Sequence, residues 1–122
     1  MAVLEQQLRD RTKAFALRIL RLYQTLPLRA DAQAIGKQLV RSGTSVAANY
    51  RAACRARSHK EFTFKIGVLE EADETQFWLE LLMDSGLMKP ARLEPLSKEA
   101  TELTAIFTAS HYTSKSRTSS GL

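Results

Sequence analysis

Cysteine is nearly absent. Cys54 stands alone in the chain, so no internal disulfide forms, and a reducing cytoplasm is the expected setting. Histidine is scarce too, with His59 and His111 the two present. A structural zinc site needs four Cys or His ligands, so one Cys and two distant His exclude it. A di-iron bundle needs Glu-x-x-His on two helices, yet Ala56 and Thr108 stand three residues before the two histidines. Cys54 reads as a small core filler rather than a nucleophile. No Gly-rich phosphate loop and no Ser-His-Asp arrangement is present. The expectation is a protein with no catalytic residues, no metal and no cofactor. Three prolines and five glycines are too few for a turn-rich β fold and favour long helices. Long apolar runs are also missing. The strongest, Phe77 to Met83, contains Glu80 and is far too short for a bilayer. No apolar run resembling a signal peptide opens the chain, so a cytoplasmic protein without a membrane partner is expected.

What the chain does have is positive charge, unevenly placed. The net charge is +5 over 122 residues, which is one domain's length with a thin core. Residues 28–58 hold six Lys/Arg against one Asp/Glu, whereas residues 59–89 hold three against seven. A basic front half and an acidic third segment suggest a polyanionic partner, charge pairing between segments, or both.

Four amphipathic segments follow from the spacing of apolar residues. The first, about 3–25, carries Leu8, Phe15, Ile19, Leu22 and Leu26, and Pro27 ends it. The second, about 31–57, starts with Asp31 as N-cap. Its inward stripe of Ile35, Leu39, Ser42, Gly43, Val46, Tyr50 and Ala53 is small in the middle, which lets another helix come close. The third opens on a Ser58–Glu61 capping box after a corner at Arg57–Ser58. It carries Phe62, Ile66, Leu69, Ala72, Leu79 and Met83, and stops at Ser85-Gly86. The fourth, about 93–112, shows Leu93, Leu96, Ala100, Leu103 and Phe107, with Pro95 tolerable in the first turn. The expected fold is all-α: an antiparallel up-down-up-down four-helix bundle over residues 1–112, with a disordered polar tail at 113–122.

Three surface features carry functional meaning. Lys37, Arg41, Arg51 and Arg55 form a stripe on the second helix opposite its core face. It is about 27 Å long at 1.5 Å per residue. Such a stripe fits several phosphates of a nucleic-acid backbone, and Lys13, Arg18 and Arg21 on the first helix are candidates to widen it. A solvated face, or pairing with the acidic third helix, is the alternative. No aromatic platform for base stacking accompanies it. The second feature is the acidic run Glu70–Glu74. A hairpin turning at 57/58 sets Arg41 opposite Glu74 and Ser42 opposite Asp73. Asp73 falls in the Phe62–Ile66–Leu69 stripe, so it is expected partly buried, with Arg41, Ser42 or Asn49 as partner. A polar cluster that fixes the register of the hairpin is preferred to a catalytic carboxylate pair. The third is apolar. Leu17 and Leu20 face outward, and Phe77, Trp78 and Leu81 lie where apolar residues circle the third helix. These residues predict an oligomer interface.

The run from Ala34 to Arg51, then Ala56-Arg57-Ser58, then Glu71–Thr75 and Trp78–Leu82, resembles a known family. Its members are bacterial four-helix-bundle proteins encoded by intervening sequences of large-subunit ribosomal RNA genes. They are distantly similar to the accessory variability determinant of diversity-generating retroelements. The resemblance spans about residues 10–110. It implies a four-helix protomer, a ring-like homopentamer and no enzymatic activity. In the retroelement relatives a positive surface binds nucleic acid and a reverse transcriptase. Arg41, Ser42, Ser45, Asn49, Glu71 and Glu74 match the family pattern and are read as hairpin and assembly residues. Ala52 and Glu70 depart from it, standing where relatives often have Glu and Lys.

The resulting expectation is a cytoplasmic homo-oligomer that binds RNA or DNA through its basic surface with little sequence specificity. The alternative is a protein-interaction scaffold or accessory subunit that makes no direct contact with nucleic acid.

Overall fold

The computed structural model describes residues 2–55 and 67–120, with side chains described over 3–55 and 67–109. Four helices follow in order: α1 (Ala2–Gln24), α2 (Ala30–Cys54), α3 (Val68–Ser85) and α4 (Pro90–Ser120). No strand occurs among the described residues. Each helix packs on its neighbours in sequence, and α1 meets α4 more sparsely to close the bundle. Cross-helix partners run antiparallel. Gly36 meets Tyr23 and Gly43 meets Ile19 across α1 and α2. Arg11 meets Glu99 and Arg21 shares a groove with Arg92 across α1 and α4. Arg41–Glu74 and Ser42–Thr75 join α2 to α3 at one level. This is the expected all-α four-helix bundle.

The apolar spacing explains the core. On α1, Leu8, Phe15, Ile19, Leu22 and Leu26 are buried as expected, with Thr12 between them, its hydroxyl donating to the Leu8 carbonyl at 2.8 Å. On α2, Leu39, Val46, Tyr50 and Ala53 point inward, and Ile35 packs half-buried at the margin. On α4, Leu93, Leu96, Ala100, Leu103 and Phe107 are buried. The Tyr50 and Phe107 rings meet at 5.6 Å, a separation favourable for aromatic pairs.

Gly43 and Gly36 let α2 close on α1. A Cβ at Gly43 would stand 2.9 Å from Ile19 Cγ1, and one at Gly36 2.7 Å from the Tyr23 ring. The same end is pinned by Gln33, which accepts from the Tyr23 hydroxyl at 2.7 Å and donates to the Pro27 carbonyl at 3.0 Å. Where α1 meets α4, Arg11 grips Glu99 with two prongs, Nε at 2.7 Å and the guanidinium terminus at 2.8 Å, and reaches Glu102 at 3.2 Å. These hydrogen bonds hold the Glu99 carboxyl below the usual carboxylate range, against the opposing effect of burial.

Several expectations need correction. Asp31 is not the N-cap of α2. Arg29 holds that position without a side-chain cap, and Asp31 is the second residue of the helix, its carboxylate accepting the Ala32 N–H at 2.8 Å. The inward stripe of α3 is Val68, Ala72, Thr75, Leu79 and Leu82. Its phase places Asp73 on the exposed side and Thr75 in the interior. Pro95 is not in the first turn. α4 begins at Pro90, where a missing N–H costs nothing, and Pro95 is its sixth residue. The Ala91 carbonyl therefore lacks its helical donor. The backbone of α4 stays helical through Ser120, past 113 where a polar tail was expected; no Pro or Gly interrupts the run before Gly121. The stop at Ser85-Gly86 agrees, with Gly86 left-handed at φ 74° and donating to the Met83 carbonyl. The corner at 57/58, the Ser58–Glu61 box, Phe62 and Ile66 lie outside the described residues.

Two predictions follow from the packing. Gly43→Ala and Gly36→Ala each gain roughly 1 kcal/mol of helix propensity but overpack the α1–α2 seam by about 1–3 kcal/mol. Urea unfolding should find both net destabilised. Gly67→Ala, at the N-cap of α3 where nothing lies within 4 Å, should shift the midpoint less than either. For the clamp, Glu99 is more acidic folded than unfolded. Its stabilisation is complete above the unfolded carboxyl range, about pH 4.3, and is lost as pH falls through the lower folded value. Unfolding midpoints between pH 6 and 3 should therefore fall less steeply for Glu99→Gln than for the wild type.

Candidate nucleic-acid interface

Helical geometry puts Lys37, Arg41, Arg51 and Arg55 on one outward stripe of α2, and all four are exposed. Neighbouring helices then divide them. Arg41 turns to α3, where it pairs with Glu71 at 3.3 Å and in closer contact with Glu74. Glu74 also accepts from the Trp78 indole N–H at 3.0 Å. One turn inward, Thr75 Oγ1 donates to Ser42 Oγ at 2.9 Å within the core. Arg41, Ser42, Glu71 and Glu74 thus join α2 to α3 through a polar cluster in which Thr75 takes the place assigned to Asp73. Ser45 returns its hydroxyl to the Arg41 carbonyl at 2.7 Å, and Asn49 is half-buried one turn on. Arg41 is the stripe's neutralised member.

Arg51 turns to α1. With Arg9 and Lys13 it lines a groove of about 410 Å³ whose floor is Thr44, Ala47 and Ala48. The small floor residues keep the groove open, and the cations rise from both walls. Asp10 is the one carboxylate in the lining, and it accepts from the Gln6 amide at 2.9 Å. Gln6 in turn accepts from Arg9 at 2.6 Å, which steadies that guanidinium. No aromatic ring lines the groove. Arg9 was missed by the sequence reading, although its spacing of four from Lys13 puts both on one face of α1.

The remaining cations go elsewhere. Lys37 borders a mostly apolar groove of about 250 Å³ formed with Leu20, Tyr23 and Val40. Arg55 stands exposed at the C-cap of α2. Arg18 and Arg21 do not widen the stripe. They face α4 and line a separate groove with Arg92, because their positions on α1 are rotated away from Lys13. Among the described residues no group of three His, Cys, Asp or Glu is placed to hold a metal, and no helix is long and apolar enough to cross a membrane. The Cys54 thiol is half-buried, and burial pushes its pKa up.

A family model for the 23S rRNA-intervening sequence protein matches residues 5–109, a span that takes in the packed length of all four helices. The chain belongs to the 23S rRNA-intervening sequence protein family. Among solved structures it is similar to a protein of unknown function from the S23 ribosomal protein family of Bacteroides thetaiotaomicron. The two share 35% identity and a TM-score of 0.77, over 84% of this chain and 96% of that one. No curated protein matches the sequence.

On this member of the intervening-sequence family the two outward faces differ in kind. The α1–α2 face combines the basic groove with Leu17, 42% exposed, and Leu20, 37% exposed. The outer face of α3 carries exposed Glu70, Asp73, Glu80 and Asp84 around Phe77, which is 52% exposed. Trp78 packs edge-on against Phe77 at 4.9 Å between ring centres, and Trp78 and Leu81 are half-buried. The apolar ring expected around α3 is therefore covered on its inner side and open at Phe77.

Proposed function

We propose that this family member is a non-enzymatic, self-assembling bundle that binds RNA or DNA through the phosphate backbone. The observation that carries the reading is the groove between α1 and α2, where Arg9, Lys13 and Arg51 converge above a floor of Thr44, Ala47 and Ala48. Three cations from two helices present charge to a chain of phosphates, and exposed Arg55 extends it along α2. Each neutralised phosphate releases counterions, so binding is strongly salt-dependent. Backbone contacts carry little sequence information, and the groove lacks the aromatic rings on which bases stack. The solved relative's placement in a ribosomal protein family favours RNA. A cytoplasmic location, with Cys54 reduced, belongs to the same reading.

Self-assembly is the second part of the proposal. The acidic face around Phe77 complements the basic face around Leu17 and Leu20, a pairing of two different patches. Such a head-to-tail contact closes into a ring where the rotation between neighbours permits, and the family resemblance implies five subunits. By helical rise, Phe77 and Leu17 lie at similar heights, about 12 and 10 Å from the end of the bundle that holds the α1–α2 turn. A neighbour seated there covers the apolar patches and leaves the Arg9–Arg51 end of the groove open. The mostly apolar Leu20–Tyr23–Val40 groove also favours a second reading, a protein-interaction scaffold whose cations contact no nucleic acid.

Titrating a generic single-stranded RNA and a DNA duplex at increasing salt separates the readings. The nucleic-acid reading expects binding at low salt. It also expects Lys13→Glu with Arg51→Glu to lower the slope of log affinity against log salt by about two. Arg41→Gln, at a cation already paired, should leave that slope unchanged. No binding of either polymer at low salt leaves the scaffold. For assembly, light scattering at micromolar concentration should give an oligomer for the wild type and a monomer for Phe77→Asp, with equal helicity. A monomeric wild type removes the ring.

A further inference from the structure

We propose that the groove between α1 and the first turns of α4 is a separate binding site for a phosphate monoester, with Arg18, Arg21 and Arg92 as its ligands. The three arginines line a cavity of about 320 Å³ that holds no carboxylate, and Leu22, Pro95 and Leu96 form its apolar wall. Among the described residues none of the three makes an ion pair. Glu99 is held by the two prongs of Arg11, which lower its pKa most, with a smaller pull from the charge of Arg18, and it does not line the groove. Arg92 is the third residue of α4, so the positive end of that helix's dipole adds to the field.

The chemistry narrows the ligand. All three cations are arginines, whose planar forks bind phosphate oxygens in pairs. An internal phosphodiester brings one negative charge, whereas a terminal monoester brings about −1.5 to −2 and three acceptor oxygens. Three guanidiniums that make no ion pair among the described residues match the monoester. A volume near the lower end of the range for small-molecule pockets, about 300 Å³, fits a mononucleotide, with its sugar or base against Pro95 and Leu96. A free nucleotide and the 5′-phosphate end of an oligonucleotide share this chemistry. The site faces α4 and is distinct from the Arg9–Lys13–Arg51 groove, so it stands whether or not that groove binds nucleic acid.

The test uses AMP, adenosine, and a short RNA with either a 5′-phosphate or a 5′-hydroxyl, on the full chain. AMP should shift the arginine side-chain NMR signals of Arg18, Arg21 and Arg92, and adenosine should not. The 5′-phosphorylated RNA should bind about tenfold tighter than its 5′-hydroxyl twin. Arg21→Gln with Arg92→Gln should erase that advantage without changing the affinity for the 5′-hydroxyl form. AMP binding that selects these arginines while neither RNA binds supports this site and removes the proposed backbone groove. Equal binding of both RNAs with no AMP response overturns this site and leaves the backbone groove standing. An AMP response that survives the double substitution also overturns it.

Discussion

Helix α2 is pinched between two neighbours, and adjacent small residues make this possible. Gly43 faces Ile19 of α1, and Ser42 faces Thr75 of α3. A larger side chain at either position would push one helix off the other and widen the seam. Because α1 comes close, Lys13 and Arg9 rise beside Arg51 instead of standing apart, and Thr44, Ala47 and Ala48 leave a groove between them. The geometry of the surface is thus set by what is missing from the core side of one helix.

The two seams of α2 treat charge in opposite ways. Toward α3, carboxylates at Glu71 and Glu74 meet Arg41, and the indole of Trp78 orders Glu74. That cluster is half-exposed, so its worth lies more in fixing how the helices register than in free energy. Toward α1, Asp10 is the one carboxylate lining the groove with Arg9, Lys13 and Arg51, and positive charge is in excess. The same split recurs on α1, where Arg11 is consumed by Glu99 and Glu102 while Arg18 and Arg21 make no ion pair among the described residues. Cations that tie helices together and cations that face solvent alternate around the bundle.

Much of this was legible in the residues. The stripe Leu8–Phe15–Ile19–Leu22 fixes the face of α1, and the small centre of α2 announces a close neighbour. The Arg41–Glu74 pairing follows from an antiparallel hairpin. The phase of α3 was not legible, because apolar residues surround it from Phe77 to Met83 and several faces compete for the core. The apolar pattern therefore points Asp73 inward, whereas the interior position belongs to Thr75, a buried hydroxyl. Pro95 misled because Pro90, a better first residue, lies five positions earlier. Arg92 carried no signal, since its companions Arg18 and Arg21 sit on a helix distant in sequence. Periodicity reports which way a side chain points on its own helix; it does not report which neighbour it meets.

The proposed binding of nucleic acid depends on one surface, the cationic groove between α1 and α2. Mapping backbone amide shifts while a short single-stranded RNA is added at low salt tests this directly. The predicted result is a contiguous set of shifts at Arg9, Lys13, Thr44, Ala48 and Arg51, fading as salt is raised. Shifts confined to the outer face of α3, or to Leu20 and Val40 with the groove silent, would contradict it.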